Sequence, residues 1–239
     1  MNITQTSPLP TLDKLGARVP PNLDAKKVVT EWFESFASYA ESDNVDGVIG
    51  LLVDNAFWRD ILALTWDFRT FDGASRIKKF LSDRLISTNL KTLKLKDDFL
   101  GLQQPWPDVA WIQAMFEFET DVGIGSGIVR LVPTANEEWK GHCIFTNLEG
   151  LKGFPEKVGL YRNPAPNHGK WAEERRRESE FKDTEPVVLI AGGGQSGLGL
   201  AARLKYLDVP TLVVETNPRI GDNWRNRYEA LCLHDPVCE

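Results

Sequence analysis

PVVLIAGGGQSGLGLAARLKYL, residues 186–207, is the stretch that decides the fold of the C-terminal part of this chain. An apolar, β-branched segment leads into G-x-G-x-x-G at 192–197, and an amphipathic stretch follows. A second β-type run, Thr211 to Val214, then ends on the acid Glu215. Strand, glycine turn, helix, strand and acid in this order predict the βαβ start of an α/β Rossmann domain that binds a dinucleotide. A glycine-rich turn in another kind of α/β unit is the alternative.

Each motif glycine has a physical role in such a unit. Gly192 allows the tight turn from strand to helix, and Gly194 lets backbone amides approach a pyrophosphate. Gly197 lets the helix pack closely on the strand, so that the helix N-terminus faces the phosphates. Glu215, roughly 20 residues further on, can hydrogen-bond ribose hydroxyls and disfavours a 2′-phosphate by charge repulsion.

The composition argues against several classes of protein. A length of 239 residues, 42% of them hydrophobic, supports one large or two small domains. The net charge of −6 argues against a nucleic-acid-binding surface. We expect no membrane span, because no run approaches the ~18 apolar residues that one requires. No secretory signal is visible, and the cysteines and histidines have no metal-ligand spacing, so we expect a cytoplasmic protein with reduced thiols and no metal site.

The hydrophobic period divides the rest of the chain. Residues 1–24 form a polar leader, and 25–150 an α+β domain in which helices precede an antiparallel meander. Residues 151–185 form a linker with a short charged helix over 171–181, and 186–239 form a partial Rossmann domain. Within 25–150 we expect helices from 25, over 43–53 and from 72, and strands over 57–66, 90–95, 109–120, 127–133 and 138–148.

The α+β domain has two features that bear on function. The order helix, helix, strand, helix and four strands resembles the cone-shaped fold of nuclear transport factor 2, ketosteroid isomerase and the SnoaL-like polyketide cyclases. The resemblance implies an apolar pocket inside a curled sheet and allows a homodimer through this domain. Members of the fold include enzymes, ligand binders and dimerisation modules, so the fold does not select a function.

Two acids in this domain raise a catalytic alternative. Asp60 and Asp67 flank a strand that also carries Trp58 and Trp66. A carboxylate in an apolar pocket could act as a general base, whereas the alternative is surface acids beside core tryptophans. We expect His142 to point outward, because it alternates with residues predicted to face the core, namely Trp139, Gly141, Cys143 and Phe145.

The C-terminal segments VVLIAGGGQSGLGLAARLKYL, TLVVE, RIGDNWRNRY and LCLHDP resemble the flavin-containing monooxygenases. The similarity is greatest to fungal and bacterial members that carry a SnoaL-like domain ahead of the flavin domain. It implies an enzyme that uses NADPH to reduce FAD and inserts one oxygen atom from dioxygen into a small organic substrate. FAD would occupy the first βαβ unit, and the catalytic residues stay unknown.

The resemblance also implies roles for individual positions. Five residues of the turn would line the pyrophosphate, and Glu215 would hold the adenosine ribose. The segment 221–225 would wrap the adenosine and ribityl side of the flavin, and His234 in L-H-D-P would lie near the flavin. Trp224 as a core anchor and His234 as a loop histidine are the alternatives. The residues so implied for the turn and the wrap are Gly192, Gly194, Gln195, Ser196, Gly197, Asn223, Trp224 and Arg225.

The sequence departs from this family in two ways. Glu229 stands where relatives usually have a histidine, and the second glycine fingerprint, which would bind NADPH, does not occur before Glu239. We therefore expect a truncated, inactive fragment that holds FAD weakly. The functional alternatives are a non-catalytic ligand-binding or dimerisation protein built on the SnoaL-like domain, and an NAD-dependent dehydrogenase. The R-I-G-D-N-W segment argues against the dehydrogenase.

Overall fold

The computed structural model describes residues 9–162, 164–227 and 229. The chain divides into two compact units, Met1–Lys152 and Gly153–Glu239, which are described in turn. Among the described residues, none of the helices has both the length and the apolar character that crossing a membrane requires.

The described part of the N-terminal unit, residues 9–152, contains four helices and six strands. The helices are α1 Leu12–Leu15, α2 Ala25–Glu41, α3 Val45–Gly50 and α4 Ala74–Thr88. The strands are β1 Leu52–Ile61, β2 Phe68–Asp72, β3 Lys91–Trp106, β4 Val109–Glu119, β5 Gly123–Pro133 and β6 Trp139–Leu151.

Helix α2 shows why these residues form their elements. The Asp24 side chain accepts a hydrogen bond from the Lys27 amide at 3.0 Å and caps the first turn. The apolar residues of α2 recur at helical spacing, and its buried side chains are Val29, Trp32, Phe33, Phe36 and Ala40. This apolar face packs into the core together with α4, which ends at Asn89 in the left-handed conformation.

The six strands form one mixed sheet in the order β2-β1-β6-β5-β4-β3. Strand β1 runs parallel to β6, and the other neighbouring pairs are antiparallel. Helices α2 and α4 contribute to one core whose largest buried side chains include Trp58, Phe36, Phe116 and Phe118. The predicted α+β fold class is thereby confirmed, and aromatic side chains form the interior of the curl.

Several predicted boundaries differ from the structure. The second helix covers only 45–50, and the strand that follows begins at Leu52 and ends at Ile61. Strand β2 was not predicted, and β3 continues to Trp106, well beyond the end predicted for it at residue 95. Both β2 and β3 are edge strands and carry many exposed residues, so their sequences lack the apolar alternation of a half-buried strand.

The prediction that His142 points outward to solvent is wrong, because a β-bulge interrupts β6. Leu131 pairs with Gly141, but Arg130 pairs with Cys143, so His142 is an extra residue opposite β5. The bulge reverses the alternation, and Ile144, not Cys143, is buried in the core. His142 itself is 7% exposed, and burial lowers the pKa of its imidazole.

The second unit contains the βαβ arrangement. Its elements are a 3-10 turn at Gly159–Tyr161, α5 Trp171–Ser179, β7 Val188–Ala191, α6 Gln195–Tyr206, β8 Thr211–Val214 and α7 Asp222–Arg225. Strands β7 and β8 pair in parallel, with Val188 opposite Thr211 and Ala191 opposite Val214. Residues 186–191 and 211–215 therefore contain adjacent parallel strands, as the sequence predicts.

Candidate functional site

The glycine-rich turn begins where β7 ends. Gly192 has φ of 107°, a value that residues with a side chain rarely adopt. Its amide donates a hydrogen bond of 2.7 Å to the Val214 carbonyl, which ties the turn to the end of β8. A residue other than glycine would be strained at this position, so the chain reversal from β7 into α6 depends on Gly192.

Gly197 sets the distance between the turn and the helix. A Cβ atom built there would lie 2.0 Å from the Gly192 carbonyl oxygen and 3.3 Å from Ile190 Cγ2. A Cβ atom built on Gly199, two residues further along the same helix, would meet no atom within 4 Å. The close approach of α6 to the turn therefore requires glycine at 197 and leaves 199 free to vary.

The N-terminus of α6 opens at this turn. Gly194 is the N-cap residue and supplies no side-chain cap, and the first turn contains no acidic residue. The first amides of a helix have no partner within the helix, and the helix dipole makes that end favourable for an anion. Gln195 and Ser196 in this first turn are exposed. The arrangement can bind a phosphate through backbone amides.

Glu215 points at the turn from the end of β8. Its carboxylate accepts hydrogen bonds from the Asn217 amide at 2.9 Å, the Asn217 side chain at 2.8 Å and the Gly193 amide at 2.6 Å. These hydrogen bonds lower the pKa of Glu215. The bond from the Asn217 backbone has the largest effect, and the bond from the Gly193 backbone has the second largest. Gly193 was absent from the predicted site, although the run of three glycines contains it.

The segment after Glu215 contributes one predicted residue to the turn. A Cβ on Gly194 would lie 3.4 Å from Asn223 Nδ2, so Asn223 lies against the turn. Trp224 is half-buried, with the Arg227 guanidinium 5.8 Å from the centre of its ring. Arg225 donates to the Ile220 carbonyl at 3.0 Å. The structure therefore brings Asn223 to the turn, whereas His234 lies outside the described residues.

Asp222 organises this segment from within. Its side chain is buried and accepts hydrogen bonds from Arg219 Nε at 3.2 Å and Arg225 Nη1 at 3.0 Å. Charge-assisted bonds of this kind hold a short segment in one geometry. Asp222 was not predicted as part of the site, and its signal in the sequence is an acid between two arginines three residues away on either side.

The two acids proposed as general bases do not form a catalytic pair. Asp60 is fully buried, so it is not a surface acid. It accepts hydrogen bonds from Thr146 Oγ1 at 2.7 Å, from the Thr65 hydroxyl at 2.7 Å and amide at 2.9 Å, and from the Leu64 amide at 3.1 Å. Asp67 is exposed and pairs with Arg69 at 2.7 Å. Asp60 therefore holds the loop after β1 against β6, and its acceptor sites are occupied.

The part of the chain that the structure describes contains no group of three or more histidine, cysteine or acidic residues that could hold a metal ion. Free Cys143 lies beside His142, with 3.2 Å between Sγ and Nδ1. Burial raises the pKa of the Cys143 thiol, which keeps it protonated at neutral pH.

No family model matches the chain. One segment is 43% identical over 49 residues to a protein of Geobacillus kaustophilus named uncharacterized oxidoreductase CzcO-like, which covers 20% of this chain and 14% of that protein. Another comparison gives 40% identity over 73 residues with indole-3-pyruvate monooxygenase YUCCA1 of Oryza sativa subsp. japonica, over 29% of this chain and 17% of that enzyme. This chain thus matches less than a fifth of the length of each relative.

Solved structures also resemble the chain. A ketosteroid isomerase-like protein from Erwinia carotovora atroseptica superposes on 53% of this chain and 98% of its own, with 11% sequence identity and a TM-score of 0.41.

Proposed function

We propose that the glycine-rich turn binds the ADP part of FAD and that the protein acts as a flavin-dependent oxidoreductase. The observation that carries this proposal is the approach of Gly197 to Gly192, where a Cβ would lie 2.0 Å from a carbonyl oxygen. That approach places the free amides of the α6 N-terminus beside the turn, in reach of a pyrophosphate. The partial similarity to proteins named as an oxidoreductase and a monooxygenase supports the same class.

The residues of the turn fit the ADP group in shape and charge. The pyrophosphate would lie at the amides of Gly194, Gln195 and Ser196, with no acidic side chain in the first helical turn to oppose it. Hydrogen bonds from Gly193 and Asn217 hold the Glu215 carboxylate beside the turn. In that position it would accept a hydrogen bond from a ribose hydroxyl, and its negative charge opposes a 2′-phosphate.

The resemblance of the C-terminal motifs to the flavin-containing monooxygenases supports a more specific reaction. We propose that NADPH reduces the flavin, that its site lies outside this βαβ unit, and that one oxygen atom of dioxygen enters a small organic substrate. FAD, when bound, supplies the redox chemistry, while the protein binds and orients it. In this chain Gly192 and Gly197 shape the turn, Glu215 would orient the ribose, and Asn223 would border the pyrophosphate.

Titration of FAD with the full 239-residue chain, followed by flavin fluorescence, tests this proposal. We expect saturable binding to the parent protein and to the Gly199→Ala variant, with dissociation constants within about twofold of each other. Gly197→Ala should weaken binding at least tenfold, or by about 1.4 kcal/mol. Equal affinity of both variants, or no saturable binding by the parent, would overturn the proposal.

Competition between nucleotides separates FAD from the dehydrogenase alternative. FAD and ADP should compete for one site, and ADP carrying a 2′-phosphate should compete poorly because of Glu215. NAD should bind more weakly than FAD if the R-I-G-D-N-W segment contributes contacts to the flavin side. Tighter binding of NAD than of FAD would favour an NAD-dependent dehydrogenase.

A second candidate function is dimerisation through the sheet of the N-terminal unit. Phe145 of β6, Ile128 of β5 and Met115 of β4 form one row across the sheet, and all three are half-buried. Their neighbours Ile144, Val129 and Ala114 point into the core, so this row occupies the opposite face. An apolar row on the face away from the helices favours contact with a second copy.

Sedimentation velocity of the full chain tests dimerisation. We expect a dimer at micromolar concentration that Ile128→Glu converts to a folded monomer, because the glutamate would place a charge in an apolar contact. A parent protein that stays monomeric at about 100 μM would contradict this proposal. Such a result would mean that the free energy of dimerisation is weaker than about 5.5 kcal/mol.

A further inference from the structure

A cleft of about 230 Å³ lies in the N-terminal unit, beside helix α4. The loop after β1, the edge strand β2 and α4 form its walls. Its lining residues combine aromatic and cationic side chains and are Thr65, Arg69, Phe71, Phe80, Asp83 and Arg84. This cleft contains no residue of the glycine-rich turn, which belongs to the other unit.

Two stacked rings give the cleft an apolar wall. The rings of Phe71 and Phe80 lie 4.0 Å apart between centroids, with an angle of 10° between their planes. Phe80 is buried in the core, and Phe71 is half-buried and lines the cleft. The core therefore fixes the position of an aromatic surface on which a planar ring could stack.

Two guanidinium groups border this apolar wall. Arg69 donates through Nε to Asp67 at 2.7 Å, which leaves the Nη groups of that fork available. In the described part of the chain, the Arg84 guanidinium has no hydrogen-bonded or ionic partner. The cleft therefore offers free donors of the type that binds a carboxylate in a bidentate way.

The acidic residues near the cleft cancel this charge only in part. Asp67 offsets Arg69, with which it is paired, whereas Lys79 Nζ lies 3.6 Å from the Asp83 carboxylate and offsets Asp83. The lining residues contribute two guanidinium groups and one carboxylate. An anion entering the cleft would thus meet a net positive rim.

We propose that this cleft binds a small organic anion made of one planar ring and one carboxylate. The ring would stack on Phe71, and the carboxylate would accept hydrogen bonds from Arg84 and Arg69. The volume of about 230 Å³ is below the 300 to 1,000 Å³, roughly, of pockets for drug-sized ligands, which limits the ligand to a single ring. Solvent screens both guanidinium groups, so we expect a dissociation constant on the order of 1 mM.

Benzoate is the probe for the experiment. Benzyl alcohol, which lacks the charge, and acetate, which lacks the ring, are the comparisons. Titration into the full chain, followed by two-dimensional amide NMR, should move resonances of 65–71 and 80–84 with benzoate. Benzyl alcohol and acetate should each bind about tenfold more weakly or not saturate, because each lacks one of the two contacts.

Charge-matched variants of α4 decide whether the cleft is the site. Arg84→Gln should raise the dissociation constant for benzoate about tenfold. Arg76→Gln removes the same charge from the same helix, at an exposed position that does not line the cleft. Its dissociation constant for benzoate should stay within about twofold of the parent value. Equal loss in both variants, benzoate shifts confined to other residues, or no saturation by 20 mM, roughly twentyfold above the expected constant, would overturn the proposal.

Discussion

The two alanine substitutions at Gly197 and Gly199 test how tightly α6 packs on the glycine turn. They add the same methyl group to the same helix, but only the one at 197 meets other atoms, with the Gly192 carbonyl oxygen 2.0 Å away. Cβ atoms essentially never approach another heavy atom within 3.0 Å, so the helix would have to shift by on the order of 1 Å.

The expected magnitudes follow from overpacking and helix propensity. Forcing a methyl group into close-packed surroundings costs about 1 to 3 kcal/mol. Gly199→Ala instead gains up to about 1 kcal/mol, since alanine is the better helix former. Because the same gain in helix propensity applies at 197, it cancels in the comparison, and the two variants should differ by about 1 to 3 kcal/mol in the stability of the βαβ unit. Among the described residues of the second unit only Ile190, Gly193 and Asp222 are buried, so little other packing can absorb the loss.

Hydrogen exchange followed by mass spectrometry measures this difference locally. Peptides that cover 188–191 and 211–214 should exchange at least about fivefold faster in Gly197→Ala than in Gly199→Ala, since 1 kcal/mol corresponds to about a factor of five. Peptides from the N-terminal unit should exchange equally in both variants. Equal protection of β7 and β8 in the two variants would refute the packing of α6 that underlies the candidate site.

Four further substitutions test the assigned contributions to stability. Hydrogen bonds depress the pKa of Glu215 in the folded state. The stability that Glu215 contributes is therefore present above the ordinary glutamate pKa of about 4.3 and is lost as the pH falls through its lower pKa in the folded protein. Glu215→Gln should remove this pH dependence from the hydrogen exchange of the turn. Asp60→Ala leaves two buried amides unpaired and should cost roughly 3 kcal/mol in urea unfolding, whereas exposed Asp67→Ala should cost under about 1 kcal/mol, and equal losses would contradict the assigned role. Burial depresses the pKa of His142, so the fold should lose stability as the pH falls below about 6.5. In His142→Phe the midpoint temperature of thermal unfolding should depend less on pH between about pH 7 and 5 than in the parent. The same pH dependence in both proteins would count against the burial of His142.

The parallel βαβ unit could be predicted because its signals are local. Strand, turn, helix and strand follow one another within 30 residues, roughly the length of one such unit, and Gly192 and Gly197 must be glycine for reasons of backbone geometry. The hydrogen bond from Gly193 to Glu215 joins residues 22 apart and fixes which amide the acid contacts. Sequence spacing indicates that the acid lies near the turn, but not that it binds Gly193.

Features that depend on long-range contacts could not be predicted. The burial of Asp60 depends on Thr146, which lies 86 residues away in the sequence. The bulge at His142 reverses the side-chain alternation of β6, so that Trp139 and Ile144 both pack against the core. An unbroken alternation would place these two residues on opposite faces, and the sequence does not indicate where the bulge lies. Strand β2 borders the sheet and is largely exposed, so its sequence contains too few apolar residues to predict it.

Amide NMR of the full chain, titrated with ADP and then FAD, tests nucleotide binding at the glycine-rich turn, because it observes the proposed phosphate-binding amides one by one. We expect saturable shifts at Gly193, Gly194, Gln195 and Ser196 with both nucleotides, and a further shift at Glu215 from its contact with the ribose. Shifts confined to other parts of the chain, or none at nucleotide concentrations of about 10 mM, would contradict it; that limit corresponds to binding weaker than about 3 kcal/mol.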